Sequence, residues 1–293
     1  MKLATVQFNS KPTASIVTNF GYLPIPIINQ KFQKDWPQEV FDMLTNDRLE
    51  EMKHWFYQNN IGTSKELKSL CIPQESVTLA PLFLHPRKIW GIGLNYEAHA
   101  KDLSENTPTS EPASFMKPDT TIIGHMDTIK LPLLSEKTTG EAELGLIFGK
   151  TCKDVKKEDW QSVLAGFTTI IDMTAEDILK RNPRNLTQSK CFDTFFSFGP
   201  VLYTIEEIED VSSLNVQTVL NGKVYCENKV ANMTFPPDVL VAYHTKLMTM
   251  LPGDIISTGT PGAAPLSNGD IIECRITGLK PLINPVIDLK QRD

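Results

Sequence analysis

The chain has 293 residues, of which 41% are hydrophobic and 22% charged, and its net charge at pH 7 is −6. That is enough apolar material for a large core and too little like-charge repulsion for disorder, and the acidic balance argues against a nucleic-acid surface. At roughly 100 to 200 residues per domain, the length suggests one large domain with a smaller companion.

Taken in order, residues 1 to 80 mix β-like beginnings, Leu3 to Phe8 and Tyr22 to Ile28, with a helical pattern from Pro37 to Asn59. In that pattern Val40, Phe41, Leu44, Leu49, Met52 and Phe56 recur near the helical period, so the segment reads as a small α+β unit. The proline-rich stretch from Cys71 through Pro73, Pro81 and Pro86 places a boundary near residue 80, giving domains 1–80 and 81–293. Beyond it come short β-prone runs: Lys88 to Ile92, Ala142 to Phe148, Thr168 to Ile171, Pro200 to Thr204, Asn215 to Leu220, Asp254 to Thr258 and Asp270 to Ile276. Asn221-Gly222 is a strong hairpin cue, because both central residues of a type I′ turn need φ > 0. The predicted helices are few: Glu97 to Leu103, Lys157 to Val163, Ala175 to Lys180 and Pro237 to Met248. The fold class is therefore α+β, mainly β, with a closed or sandwich-like large domain.

No apolar stretch approaches the roughly 20 residues that span a bilayer. The first eight residues carry one charge and no apolar signal core, so the expected address is cytoplasmic. The five cysteines are widely spaced without a Cys-x-x-Cys pair, which disfavours a disulfide framework or a zinc knuckle. No basic cluster beyond Lys153, Lys156 and Lys157 recommends nucleic acid or anionic lipid as a partner.

Glu141 and Glu143 lie two apart in a β-prone run, so their side chains point to one face, while Ala142, Leu144, Leu146 and Phe148 make the other face apolar. Asp172 ends a run of small and β-prone residues, where a carboxylate is costly to bury unless paired or bound to metal. The three suit a hard divalent cation such as Mg²⁺; a solvated strand edge with Asp172 as a helix cap is the alternative. His99 and Asp102, three apart, share a helix face, either as an oriented base or as a surface ion pair. Lys190 precedes an aromatic-rich stretch that would hold its ammonium near a partly dry cavity, though by itself it reads better as an exposed salt-bridging lysine. Thr258-Gly259-Thr260 offers hydroxyls and backbone amides that suit a carboxylate ligand or simply make a tight turn. Gly91-Ile92-Gly93 lacks the third glycine of a dinucleotide site, and Cys191 has no histidine beside it in sequence to support a thiol nucleophile.

In their order, Gly91-Ile92-Gly93-Leu94-Asn95-Tyr96-x-x-His99, Phe115-Met116-Lys117-Pro118, Glu141-x-Glu143-Leu144, Gly166-Phe167-Thr168 through Asp172, Lys190-x-Phe192-Asp193, Phe198-Gly199-Pro200, Asn221-Gly222 and Leu251-Pro252-Gly253-Asp254 through Pro261 resemble the fumarylacetoacetate hydrolase family. The resemblance covers about residues 87 to 285. It implies a mixed β-roll fold, a homodimer, and Mg²⁺ or Mn²⁺ held by Glu141, Glu143 and Asp172. It also implies that His99 activates water with help from Asp102, that Lys190 is an active-site lysine, and that Asn95, Tyr96, Thr258, Gly259 and Thr260 contact substrate, Thr260 through its carboxylate. Where the family favours Glu, this chain has Asp102, one methylene shorter. Where the family usually has Arg and Gln after the metal aspartate, this chain has Glu176 and Leu179. The metal set is therefore kept and the specificity set altered. The implied reaction is hydrolysis of a C–C bond in a small 2,4-dioxo acid such as an acylpyruvate, through an enolate stabilised by the cation. Oxaloacetate decarboxylation and isomerisation or lysis of an unsaturated 2-oxo dioic acid are sister reactions, and a catalytically weak metal-binding scaffold is the third possibility.

Overall fold

The computed structural model describes residues 1–97, 100, 107–184 and 186–291. The chain opens with an antiparallel meander of β1 (Lys2–Phe8), β2 (Lys11–Thr18) and β3 (Gly21–Pro24), which turns directly into α1 (Ile25–Phe32). The β-like reading of Tyr22 to Ile28 thus holds only to Pro24. Pro26 sits in the first turn of α1, where its fixed φ suits a helix and its missing N–H is no loss. Ile25 and Ile28, three apart, are the buried residues of that helix. The helical pattern expected over 37–59 is two helices, α2 (Val40–Thr45) and α3 (Leu49–Gln58), broken where Asp47 takes a left-handed φ of 54°.

After β4 (Leu79–Ala80) come β5 (Ile89–Gly93), β6 (Ala113–Lys117), β7 (Ile122–Ile123) and β8 (Ile129–Leu131). Two long strands follow, β9 (Thr138–Phe148) and β10 (Leu164–Ala175), both buried throughout. Beyond them lie α4 (Glu176–Arg181), α5 (Leu186–Lys190), β11 (Phe196–Thr204), the hairpin of β12 (Asn215–Leu220) and β13 (Lys223–Lys229), and α6 (Pro237–Leu247). The chain continues with β14 (Ile255–Ser257), β15 (Ala263–Pro265), β16 (Ile271–Ile276) and β17 (Leu282–Asp288). The Lys157–Val163 segment is a 3₁₀ helix, and most of the expected Glu97–Leu103 helix lies outside the described residues.

Among the described residues the large sheet runs β3-β2-β1-β11-β10-β9-β14-β5-β6, with β4 on β1, β7 on β11 and β15 on β9. A second sheet runs β13-β12-β16-β17-β8. The architecture is mainly β, as the sequence patterning implies. β1 pairs with β11 in antiparallel register, Lys2 opposite Tyr203 and Ala4 opposite Val201, so residues on both sides of position 80 share one sheet.

Both faces of the large sheet are covered, which is why β9 and β10 carry no exposed side. Ala142, Leu144, Leu146 and Phe148 face a core shared with Val216, Ile272 and Leu282 of the second sheet. Ile147, Ile170, Phe196, Phe198 and Ile255 belong to a second core built with Trp36, which precedes α2, and with Val40, Met43 and Met52 of α2 and α3. Strands buried on both faces read as continuous apolar runs, so acidic residues inside them stand out.

Candidate metal centre and active site

Strand register explains why three acids meet. Glu141 lies directly opposite Asp172 in the β9–β10 ladder, and Glu143 opposite Ile170. A cross-strand pair points to one face, and Glu143, two residues along, shares it. The ligand oxygens of Glu141, Glu143 and Asp172 lie within 4.8 Å of one another, and all three residues are buried. This excludes the solvated-edge alternative for the two glutamates, and Asp172 sits inside β10 rather than at a helix cap.

Each carboxylate is held by named donors. Asp172 Oδ2 accepts from Lys190 Nζ at 2.7 Å, and Asp172 Oδ1 accepts from Lys117 Nζ. The same Lys117 ammonium donates to the Met173 carbonyl at 3.2 Å. Glu141 Oε1 accepts from the Thr174 hydroxyl at 2.7 Å, and its Oε2 from Lys190 at 3.2 Å. Glu143 Oε2 accepts from the Ser257 hydroxyl at 2.5 Å and from the Gly259 backbone N–H at 2.7 Å. The Lys190 ammonium stands 4.6 Å from the centre of the Phe115 ring, a cation–π distance.

Gly259 is required where it sits. Its φ is +93°, and a Cβ there would meet the Asn95 Cβ at 2.8 Å. Asn95 in turn is committed to holding loops: its amide donates to the carbonyls of Phe235 (3.0 Å) and Thr258 (2.7 Å), and its side-chain oxygen accepts from Phe235 N–H (2.8 Å). The Thr258 hydroxyl donates to the Leu144 carbonyl at 2.9 Å, and the Thr260 hydroxyl donates to the Gly262 carbonyl at 2.8 Å. Tyr96 is fully buried, and its hydroxyl has no hydrogen-bond partner among the described residues. His99 and Asp102 lie outside the described residues.

The electrostatics follow from burial and charge. Burial, with Asp172 and Glu141 beside it, pushes the Glu143 carboxyl up to about 8. Burial alone would also raise Asp172, but the ammoniums of Lys117 and Lys190 outweigh it and hold that carboxyl below the usual range. Burial alone would lower Lys190, but Asp172 and Glu141 outweigh it and hold its ammonium above the ordinary value. Burial lowers Lys117 as well, against the pull of Asp172, and with Glu143 held mainly neutral at pH 7 the cluster keeps one carboxyl in reserve, whose ionised form a bound cation would favour. An all-oxygen donor set of this kind fits a hard divalent cation, Mg²⁺ or Mn²⁺, and adds no imidazole or thiolate that would favour a softer metal.

Lys117, Ser257 and Thr174 were not singled out from the sequence as contributors to the site. In β6, Phe115 and Lys117 are buried and Met116 points outward, the inverse of an ordinary half-exposed strand. Glu176, where the resemblance implies an arginine, is buried and paired with Lys137 at 2.8 Å and Lys180 at 2.6 Å. No disulfide forms among the five cysteines, all of which are described.

Residues 88–287 match the family model described as fumarylacetoacetate (FAA) hydrolase C-terminal. An oxaloacetate tautomerase of Xenopus laevis is 33% identical over 226 residues, covering 74% of this chain and 70% of that protein. The crystal structure of maleylpyruvate hydrolase from Sphingobium sp. SYK-6 in complex with manganese(II) ion and pyruvate is 25% identical, with a TM-score of 0.79 over 98% of this chain and 99% of that one. A 5-carboxymethyl-2-hydroxymuconate delta-isomerase from Mycobacterium smegmatis is 26% identical, with a TM-score of 0.75 over 98% and 99% of the two chains.

Proposed function

Because the chain belongs to the fumarylacetoacetate hydrolase family, we propose that it is a divalent-metal-dependent enzyme acting on a small 2-oxo acid through an enolate, with hydrolytic C–C cleavage of a 2,4-dioxo acid as its reaction. The observation that carries this reading is the buried convergence of Glu141, Glu143 and Asp172 with Lys190 among them. A divalent cation held by those carboxylates supplies Lewis-acid stabilisation of charge on an enolate oxygen.

The chain's own groups take the remaining roles. Lys190 places a point charge beside the developing enolate, in surroundings where burial strengthens it. Gly259, through its N–H, and Ser257 fix Glu143, while Asn95 ties the loop after β14 to the segment after β5. Thr258 and Thr260 shape the wall against which the substrate carboxylate rests. His99, aided by Asp102, takes a proton from water, which then attacks the distal carbonyl. The shorter Asp102 and the acid-for-arginine exchange at Glu176 direct the site to a substrate whose far end differs from that of the usual family members. The enzyme works in the cytoplasm as a homodimer.

The second reading, tautomerisation or decarboxylation of oxaloacetate, is favoured by the likeness to the Xenopus laevis tautomerase, and it needs no activated water. The deciding experiment is a Mg²⁺ and Mn²⁺ activity screen over acylpyruvates, oxaloacetate and unsaturated 2-oxo dioic acids, with the His99→Ala variant alongside. Acylpyruvate cleavage that disappears in His99→Ala while metal binding persists supports the hydrolase. Oxaloacetate turnover that survives in that variant, without acylpyruvate cleavage, supports the second reading. Tight metal binding with no turnover across the panel leaves a scaffold.

A further inference from the structure

The two lysines at the cluster are not equivalent. Lys117 is anchored: its side chain is 0% exposed, and its ammonium is shared between Asp172 Oδ1 and a backbone carbonyl of β10. It reaches there from β6, the edge strand of the large sheet, so it also ties that edge back to β10. Lys190 has no such backbone anchor in its bonds at the cluster. It is the last residue of the short α5, and it bridges Asp172 Oδ2 at 2.7 Å and Glu141 Oε2 at 3.2 Å, two oxygens on different strands.

That bridge is the place a metal ion needs. A divalent cation binds carboxylate oxygens at about 2.0 to 2.1 Å. An ion spanning Glu141 and Asp172 would therefore share the gap with an ammonium already within hydrogen-bond distance of both. Two positive charges cannot occupy that space in a buried site, where Coulomb repulsion is poorly screened. The Phe115 ring, 4.6 Å from the ammonium, offers the lysine an adjacent station that keeps a favourable contact after it leaves the carboxylates.

Building on the metal reading above, we propose that Lys190 is the resident counter-ion of the carboxylate cluster and that a divalent cation enters by displacing it, while Lys117 stays on Asp172. Metal loading and the freeing of an ammonium for the substrate are then one event: the lysine faces an anionic ligand only when the ion has taken its place.

The test is Mn²⁺ binding to metal-stripped protein, followed by the electron paramagnetic resonance of free Mn²⁺, in wild type, Lys190→Met and Lys190→Arg. Removing the competitor tightens Mn²⁺ binding by about tenfold or more in Lys190→Met, and retaining the charge in Lys190→Arg does not. Wild type that binds Mn²⁺ with Lys190→Met no tighter overturns the displacement and leaves the metal site standing. Failure of all three proteins to bind removes the metal reading and this inference together. If Lys190→Met does not fold, wild type answers alone: amine acetylation read by mass spectrometry accelerates at Lys190 and not at Lys117 when Mn²⁺ is added, and an unchanged Lys190 rate overturns the proposal.

Discussion

Asp254 and Asp172 are both buried aspartates bonded to lysine, yet their surroundings differ in kind. Asp254 is fully buried and meets one ammonium, Lys88 at 2.6 Å, together with the backbone N–H groups of Lys88 (2.9 Å) and Leu251 (2.7 Å). Charge and hydrogen bonds close locally, and the pair does no more than pin β5 beside the turn that leads into β14. Asp172 meets two lysines, but it shares Lys190 with Glu141 and has Glu143 beside it, a carboxyl that burial keeps mainly neutral and that no lysine is bonded to among the described residues. A buried ion pair that closes on itself is architecture; a buried cluster with a carboxyl in reserve has a place for another cation.

The largest test of that contrast is Glu143→Gln. It removes the reserve carboxyl of the cluster and is expected to abolish metal-dependent turnover. Mn²⁺ affinity should fall beyond the ~10- to 100-fold that disturbing an outer partner costs. The metal-free melting temperature should not fall, because the lost carboxyl is one that burial already disfavours as an anion. Retained metal affinity would take Glu143 out of the centre.

Lys88→Met strikes the balanced pair and should do the reverse. Leaving Asp254 charged and uncompensated costs about 3–5 kcal/mol in chemical denaturation, with Mn²⁺ affinity of the folded protein unchanged. Ser257→Ala is gentler. A hydrogen bond to a charged group is worth about 1.5–3 kcal/mol, and its loss from Glu143 should appear as roughly tenfold weaker Mn²⁺ binding. Little change in fold stability is expected there, and a loss of stability without a loss of affinity would make Ser257 a packing residue.

The smallest effect concerns His244, which bonds to neither aspartate. It is fully buried, donates from Nδ1 to the Leu240 carbonyl at 2.8 Å, packs 4.9 Å from the Trp90 ring, and leaves Nε2 without a partner among the described residues. Burial holds its pKa below the ordinary 6.5. The unfolded chain therefore takes up the proton first, and stability present above pH 6.5 is lost as pH falls below it. Denaturation midpoints of His244→Gln should fall less steeply between pH 7 and pH 5 than those of wild type, and equal slopes would show that other groups set the acid limit.

The site was legible where chemistry is written in spacing. Glu141-x-Glu143 announces a shared face, and a carboxylate at Asp172 inside a β-prone run announces that something must compensate it. What spacing cannot give is strand register, and register is what sets Asp172 opposite Glu141. Lys117 was hidden for the same reason: its partner lies on β10, with several strands between them in the sheet order. The strands themselves run longer than their apolar cores, because Thr138 to Gly140 and Met173 to Ala175 pair with each other regardless of β propensity. α1 was missed since Ile25 and Ile28 are β-branched and Pro26 reads as a breaker unless the helix is known to start there. Thr258 and Thr260 show the opposite limit: their hydroxyls were visible in the sequence, but their use on Leu144 and Gly262 belongs to the folded turn.

The pairing of β1 with β11 sets a condition on how the protein is made. Lys2 to Ala4 are matched to Val201 to Tyr203, about two hundred residues downstream. During ribosomal synthesis the opening meander must wait, with one strand edge unsatisfied, until most of the polypeptide has emerged. Folding that closes so long a loop is slow, and the nascent meander is the segment that a chaperone would have to shield.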